Sequence, residues 1–169
     1  AVNVLAVLNL VRIANELDAT LAQFSTDYVF DGWSEHPYDE SSPPMSFSVY
    51  GNSRLAGEYL VRSLARKHMV IRTCGLYGAA GSSGKGGNFV ETMLQKAGRG
   101  DRIQVVDDQT VTPTYTVDLA EQVATLLDAG GSGLYHATNE GGCSWYAFAR
   151  AIFEIAGVSA DLHPTTSAQ

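Results

Sequence analysis

Cysteine is nearly absent: 169 residues hold only Cys74 and Cys143, far apart and without a CxxC spacing. That excludes a disulfide framework, so the chain must hold together by packing, and a reducing cytoplasm is the compartment it suits. Basic residues are also scarce, with 11 Lys and Arg against 18 Asp and Glu and a net charge of −7. Neutralising a polyanion needs Lys and Arg clustered on one face, and here they are scattered, which excludes nucleic acid as a partner. The four histidines, His36, His68, His136 and His163, show no metal-ligand spacing, so no metal is expected. No apolar run reaches the roughly 20 residues of a membrane span, and no membrane association is expected. The largely apolar opening at residues 1–8 is followed by Asn9, Arg12 and Glu16 at helical spacing, which reads as an amphipathic helix. A secretory leader would carry its positive charge first and a small-residue cleavage site last.

What remains is an ordinary globular composition, 45% hydrophobic and 17% charged, enough for one compact domain over 1–169. Hydrophobic periodicity predicts a helix over 2–17, a strand over 20–25 and a long irregular stretch over 26–47. Ser48 is expected to cap a helix running to about Lys67, with Leu55, Leu60 and Leu64 on its apolar side. A strand over 69–73 and a glycine-dense loop from Gly78 to Gly87 follow. Next come a helix over 88–97 stopped by Gly98 and Gly100, a strand over 102–106 and a helix over 117–127. A strand over 134–137, a helix over 144–156 capped by Ser144 and a loose tail over 160–169 complete the reading. Trp145, Tyr146, Phe148, Phe153 and Ile155 are assigned to the core. Strands alternating with helices imply an α/β fold with a parallel sheet and right-handed crossovers.

In such sheets ligands sit beyond the carboxyl ends of the strands. Three polar segments leave strands here: 25–32, 72–78 and 105–114. Between the first two, Tyr50 and Arg54 are four apart and share one face of a helix. A fixed cation beside a phenol favours its ionised form, making the tyrosine a usable proton donor or acceptor near neutrality. A hydroxyl such as Thr26 at a strand end would hold a substrate oxygen against it. The pair would deliver a proton to a carbonyl oxygen while hydride arrives from a nicotinamide. Tyrosine and arginine four apart are also a common surface pair, so spacing alone leaves both readings open. The 79–86 segment, with its Gly84-Lys85 pair, imitates a phosphate loop but lacks the first glycine and has Gly86 where a Ser or Thr belongs. A plain loop is expected there, with Lys85 as a point charge able to touch a substrate phosphate.

Ser25-Thr26-Asp27-Tyr28-Val29-Phe30-Asp31-Gly32, then Pro37-Tyr38-Asp39-Glu40, then Tyr50-Gly51-Asn52-Ser53-Arg54-Leu55-Ala56-Gly57-Glu58 resemble the central motifs of extended short-chain dehydrogenase/reductases. They are most similar to the dTDP-4-dehydrorhamnose reductase branch. Ile71-Arg72-Thr73, Tyr77-Gly78, Asn88-Phe89, Asp107-Asp108-Gln109, Pro113-Thr114 and Asp118-Leu119-Ala120 follow in that family's order. The resemblance implies a Rossmann-like parallel sheet with helices on both faces, and substrate-binding elements from about residue 75 onward. It implies an enzyme that reduces a dTDP-linked deoxy-keto-sugar with NADPH or NADH, serving polysaccharide synthesis. Thr26 would bind the carbonyl and Tyr50 act as general acid. Arg54 stands where the family has lysine and would tune Tyr50 and hold the nicotinamide ribose. Asn3, Ser25, Thr26, Tyr50 and Arg54 would meet the cofactor. Asp27, Tyr28, Arg72, Asn88, Gln109 and Thr114 would meet the sugar nucleotide.

Two departures from the family qualify that expectation. Arginine keeps the charge of lysine but donates along different directions, so activity is expected to be weakened rather than lost. Family members also open with a strand, a glycine-rich turn and a helix that takes the cofactor pyrophosphate, and nothing before Asn3 supplies them. The chain is therefore expected to be the later part of a longer protein, with a partner or self-association into a homo-oligomer as another way to cover its apolar faces. Two other functions share these motifs. One is a non-catalytic subunit like the regulatory subunit of methionine adenosyltransferase. The other is a sugar-nucleotide epimerase or dehydratase of the same superfamily.

Overall fold

The computed structural model describes residues 2–79 and 87–168. In chain order its regular elements are α1 (Val7–Glu16), β1 (Leu21–Thr26), α2 (Val49–Leu64), β2 (His68–Thr73), β3 (Leu76–Tyr77), α3 (Phe89–Arg99), β4 (Arg102–Val106), β5 (Thr110–Val111), β6 (Thr114–Tyr115), α4 (Thr116–Asp128), β7 (Gly133–His136), β8 (Cys143–Ser144), α5 (Trp145–Ala156) and β9 (Asp161–Thr165). A π-helical turn, Val2–Ala6, precedes α1, and a short 3-10 turn, Asp27–Val29, follows β1. The chain separates into two compact units, Ala1–Thr73 with Glu121–Ala137 and Cys74–Ala120 with Thr138–Gln169.

The first unit is built on a parallel sheet in the order β1-β2-β7. Side chains alternate between the two faces of a strand. Leu21, Val70 and Leu134 therefore turn one way, where they pack with Val7 and Val11 of α1 and Val61 of α2. Met69 and Ile71 turn the other way and are just as fully buried, so both faces of β2 are covered. That is why Met69-Val70-Ile71 at the middle of β2 reads as an unbroken apolar run, the mark of a central parallel strand. Each such fully buried apolar side chain contributes about 1.5–3 kcal/mol.

Helix α2 corrects the expected apolar stripe. Its buried positions are Gly51, Gly57, Glu58 and Val61, whereas Leu64 is exposed. The helix is rotated so that small residues and one carboxylate face the sheet and α1. Leu60 still packs against the core of α1, α2 and the sheet, and with Leu64, Val4, Ala56, Tyr59 and Ser63 it also lines an open groove of about 460 Å³. The helix ends at Leu64 rather than Lys67, with Ala65 leaving in extended conformation.

In the second unit β4 pairs in parallel with β9, from Arg102 opposite Asp161 to Val106 opposite Thr165. The expected loose tail is thus a strand. Helices α3 and α5 close over this pair, burying Met93, Ile103, Val105, Ala149, Ile152 and Phe153 together. Trp145, Tyr146 and Phe148 pack against that core, but Ile155 is exposed, contrary to expectation. Gly98 lies inside α3; the helix is stopped by Gly100 alone, whose left-handed φ of 72° suits a residue without a side chain. Of the expected glycine loop, residues 80–86, Lys85 among them, lie outside the described residues.

Candidate active site

All the residues that the sequence nominates for chemistry, Thr26, Tyr50 and Arg54, fall in the first unit. Thr26 ends β1 and caps the 3-10 turn. Its hydroxyl accepts from the backbone N–H of Tyr28 at 3.3 Å and donates to Asp27 Oδ1 at 2.9 Å. Tyr28 is thereby set edge-on to Tyr50, ring centroids 5.8 Å apart, and Tyr50 itself is half exposed. Ser48 starts α2 by accepting from the Gly51 N–H at 2.9 Å, which fixes where Tyr50 enters the helix.

Two glycines make this placement sterically feasible. A Cβ on Gly51 would lie 2.1 Å from the Tyr28 carbonyl oxygen and 2.2 Å from Ser46 Oγ. A Cβ on Gly57 would lie 2.6 Å from the carbonyl oxygen of Asn3. Backbone meets backbone at both points, and only hydrogen fits.

Arg54 is braced rather than free. One guanidinium nitrogen donates to the Phe24 carbonyl at 2.7 Å and the other terminal nitrogen to Asn3 Oδ1 at 3.3 Å, while its Nε is buried without a partner. Its Cζ stands 6.0 Å from the Tyr50 ring centroid, so the charge and the phenol are neighbours, as their spacing predicts. Asn3 also donates to Ser53 Oγ at 2.9 Å, and Ser53 donates to the Tyr50 carbonyl at 2.7 Å. The asparagine of the π-helical turn thus touches α2 at Ser53 and Arg54, and its carbonyl lies against Gly57 one turn on.

The structure also gives the surroundings of the other residues expected to meet a ligand. Ser25, expected at the cofactor, is buried and spends its hydroxyl on Glu58 Oε1. Arg72, expected to face the sugar, is 2% exposed and grips Glu58 with Nε to Oε1 at 3.0 Å and a terminal nitrogen to Oε2 at 2.7 Å. The resemblance implied a ligand for this charge; in the structure its partner is a carboxylate brought from α2. Thr114 is 1% exposed and donates to the Thr112 carbonyl at 3.1 Å, so its side chain fills the second unit's interior. Asn88 caps α3 in a reciprocal box with Glu91 and donates to the Gly78 carbonyl at 2.6 Å. Gln109 is exposed and donates to Ser167 Oγ at 2.8 Å.

The irregular stretch is anchored in the first unit by contacts the sequence did not disclose. Phe30 stacks on Tyr38 with centroids 4.3 Å apart and meets His136 edge-on. Glu40 accepts from the His136 N–H at 2.8 Å, which holds its carboxyl below the usual carboxylate range. Burial pulls the His136 imidazole down, against the opposing pull of Glu40. The Tyr38 hydroxyl donates to Asp31 and lowers that carboxyl in turn. Among the described residues no cluster of His, Cys, Asp and Glu is arranged to hold a metal ion.

Against known families, residues 1–169 match the model of the RmlD substrate binding domain. The chain belongs to the RmlD substrate-binding domain family. The spore coat polysaccharide biosynthesis protein SpsK of Bacillus subtilis is 42% identical over 154 residues, covering 91% of this chain and 52% of that protein. The dTDP-4-dehydrorhamnose reductase of Mycobacterium tuberculosis is 40% identical over 175 residues, covering 100% of this chain and 56% of that enzyme. The crystal structure of dTDP-4-dehydrorhamnose reductase from Bacillus anthracis in complex with NADP superimposes with a TM-score of 0.92 at 36% identity. It covers 98% of this chain and 57% of that one. This RmlD-family chain therefore spans about half the length of the relatives it matches, and the α/β, Rossmann-like fold expected for it is the one it has.

Proposed function

We propose that the protein carrying this chain reduces the C4 ketone of a dTDP-linked deoxy-keto-sugar, with dTDP-4-dehydrorhamnose as substrate and NADPH or NADH as reductant. The observation that carries the reading is the half-exposed Tyr50 beside Arg54, whose charge is held in place by Phe24 and Asn3. The names of the relatives in Mycobacterium tuberculosis and Bacillus anthracis, and the NADP in the latter, support it.

The residues present fit a nicotinamide nucleotide, because Arg54 keeps a buried Nε with no partner and Tyr50 has an accessible phenol. Arg54, Tyr50 and Asn3 would hold it, and when bound it supplies the hydride. The chain's own part is the proton. As negative charge builds on the ketone oxygen, the Tyr50 hydroxyl donates its proton there, yielding the alcohol and a phenolate. Arg54 is fixed beside that phenolate and needs no reorganisation to stabilise it. Thr26, whose hydroxyl proton rests on Asp27 in the free site, would turn it to the carbonyl oxygen and so orient the substrate. The same reading places the protein in the cytoplasm, in keeping with two cysteines that form no disulfide. No helix among the described residues is long and apolar enough to cross a membrane.

The test is oxidation of NADPH and NADH by the full-length gene product with dTDP-4-dehydrorhamnose, beside Arg54→Lys. Turnover by the parent supports the reductase. A silent parent revived by Arg54→Lys marks a lapsed enzyme, and silence of both despite cofactor binding rejects the rhamnose reading. Product formed with the nicotinamide returned unchanged would instead indicate an epimerase or dehydratase.

A further inference from the structure

Resting on the reductase reading, we propose that Glu58 is a positioning residue for the Tyr50–Arg54 pair, acting through a buried carboxylate that locks α2 to the ends of β1 and β2. Glu58 follows Arg54 by four residues and Tyr50 by eight, so the three lie along one side of the same helix. It is fully buried. Its Oε1 accepts from the Ser25 hydroxyl and from Arg72 Nε at 3.0 Å; its Oε2 accepts from an Arg72 terminal nitrogen at 2.7 Å and from Nε at 3.3 Å.

What these partners hold gives the carboxylate its reach. Ser25 is the residue before Thr26, and it sits opposite Arg72 in the β1–β2 register. The Arg72 guanidinium lies 5.0 Å from the Phe30 ring centroid. Phe30 in turn donates its N–H to the Asp27 carbonyl at 2.9 Å, closing the turn that presents Asp27 and Tyr28. One carboxylate therefore ties the proton-donor helix to the strand end that carries Thr26 and to the turn that carries Tyr28.

Stability alone is a poor explanation for such a pair, because replacing a buried ion pair by apolar residues of similar volume is often neutral or stabilising. A bidentate guanidinium–carboxylate contact fixes distance and rotation together, which apolar packing does not. Neither Glu58 nor Arg72 is accessible to a substrate, so the effect must pass through the helix. Sliding α2 would carry Tyr50 away from Thr26 without removing any group that touches the substrate.

The experiment uses the full-length gene product with Ser25→Ala, which removes one tie and leaves the ion pair, and Glu58→Gln, which keeps the shape. Three readouts are taken: thermal unfolding, kcat and KM with NADPH and dTDP-4-dehydrorhamnose, and fluorine NMR of fluorotyrosine-labelled protein. The Tyr50 resonance is assigned by its loss in Tyr50→Phe. In Ser25→Ala, unfolding stays cooperative and kcat falls roughly tenfold to a hundredfold while both KM values stay within about threefold. The Tyr50 resonance moves, and that of Tyr146 in the second unit does not. A kcat loss that merely tracks the unfolded fraction overturns the proposal, as does an unmoved Tyr50 resonance in both variants. If the parent turns over no substrate, the reductase reading fails, and the resonance alone then decides for or against the positioning role.

Discussion

Replacing Gly51 by alanine adds one methyl group at the tightest point of α2. In an unconstrained helix that change stabilises by about 1 kcal/mol, since alanine has the better helix propensity. Here the new carbon would sit 2.1 Å from the Tyr28 carbonyl oxygen and 2.2 Å from Ser46 Oγ. The first is backbone and cannot rotate away, so the start of the helix must retreat by about 1 Å to restore van der Waals contact. Retreat also stretches the Ser48 cap on the Gly51 N–H, a bond whose loss costs about 1 kcal/mol. Overpacking of this kind costs about 1–3 kcal/mol, so the net change is destabilising by about 1–3 kcal/mol once the propensity gain is set against both losses. Because Tyr50 is the preceding residue, the same shift should lower kcat by about a hundredfold. Thermal unfolding and steady-state turnover of the full-length gene product read both effects. Gly98→Ala is the matched control: it lies inside α3 with nothing within 4 Å of its would-be Cβ. It should raise stability by about 0.5–1 kcal/mol, which for a protein of this size is a few degrees. If Gly51→Ala behaves like Gly98→Ala, the steric account of the site is wrong.

Other predictions concern groups outside the Tyr50–Arg54 pair. The His136 imidazole titrates below its ordinary value of 6.5 in the fold, so the folded state resists a proton that the unfolded chain accepts. Its contribution is nil above that pH, and stability is lost as pH falls from about 7 toward 5. Glu40, lowered from 4.5, adds a second loss at more acid pH, as its stabilising charge is neutralised. Urea unfolding across this range should show His136→Gln flattening the upper part of the decline; an unchanged slope between pH 7 and 5 would refute the burial argument. Asn88→Ala removes the capping box of α3 and the tie to Gly78, and should cost about 1–2 kcal/mol by chemical denaturation. Ile155→Lys, at a position 88% exposed, should change unfolding stability by no more than about 0.5 kcal/mol.

The helices were legible where capping chemistry announced them: Ser48 and Ser144 each accept a backbone N–H as expected, whereas Asn88, read as the first residue of its helix, proves to be a cap. Strand β2 was legible because a strand buried on both faces needs an apolar run. Strand β9 was not, because Asp161-Leu162-His163-Pro164-Thr165 has neither alternation nor β-branched density; it becomes a strand through pairing with β4. The Tyr50–Arg54 juxtaposition follows from helical spacing alone, and the structure places the two side by side. The fates of Arg72 and Ser25 do not follow from spacing. Both depend on Glu58, whose partners are 14 and 33 positions away and meet it only when β1, β2 and α2 assemble. A glutamate in an otherwise apolar helical stripe was the one available signal, and it reads as a solvated position until a buried cation is known to face it.

Helix α2 meets the π-helical turn at Gly57, the loop before it at Gly51 and two strands at Glu58. A part seated at three points along its length has no tolerance left for drift. In a library randomised along this helix, Gly51, Gly57 and Glu58 should return almost unchanged under selection for activity. Asn52 and Arg62, on its exposed side, should accept nearly any residue. New substrate preferences would then have to come from residues outside α2, because the helix that carries Tyr50 has nowhere else to go.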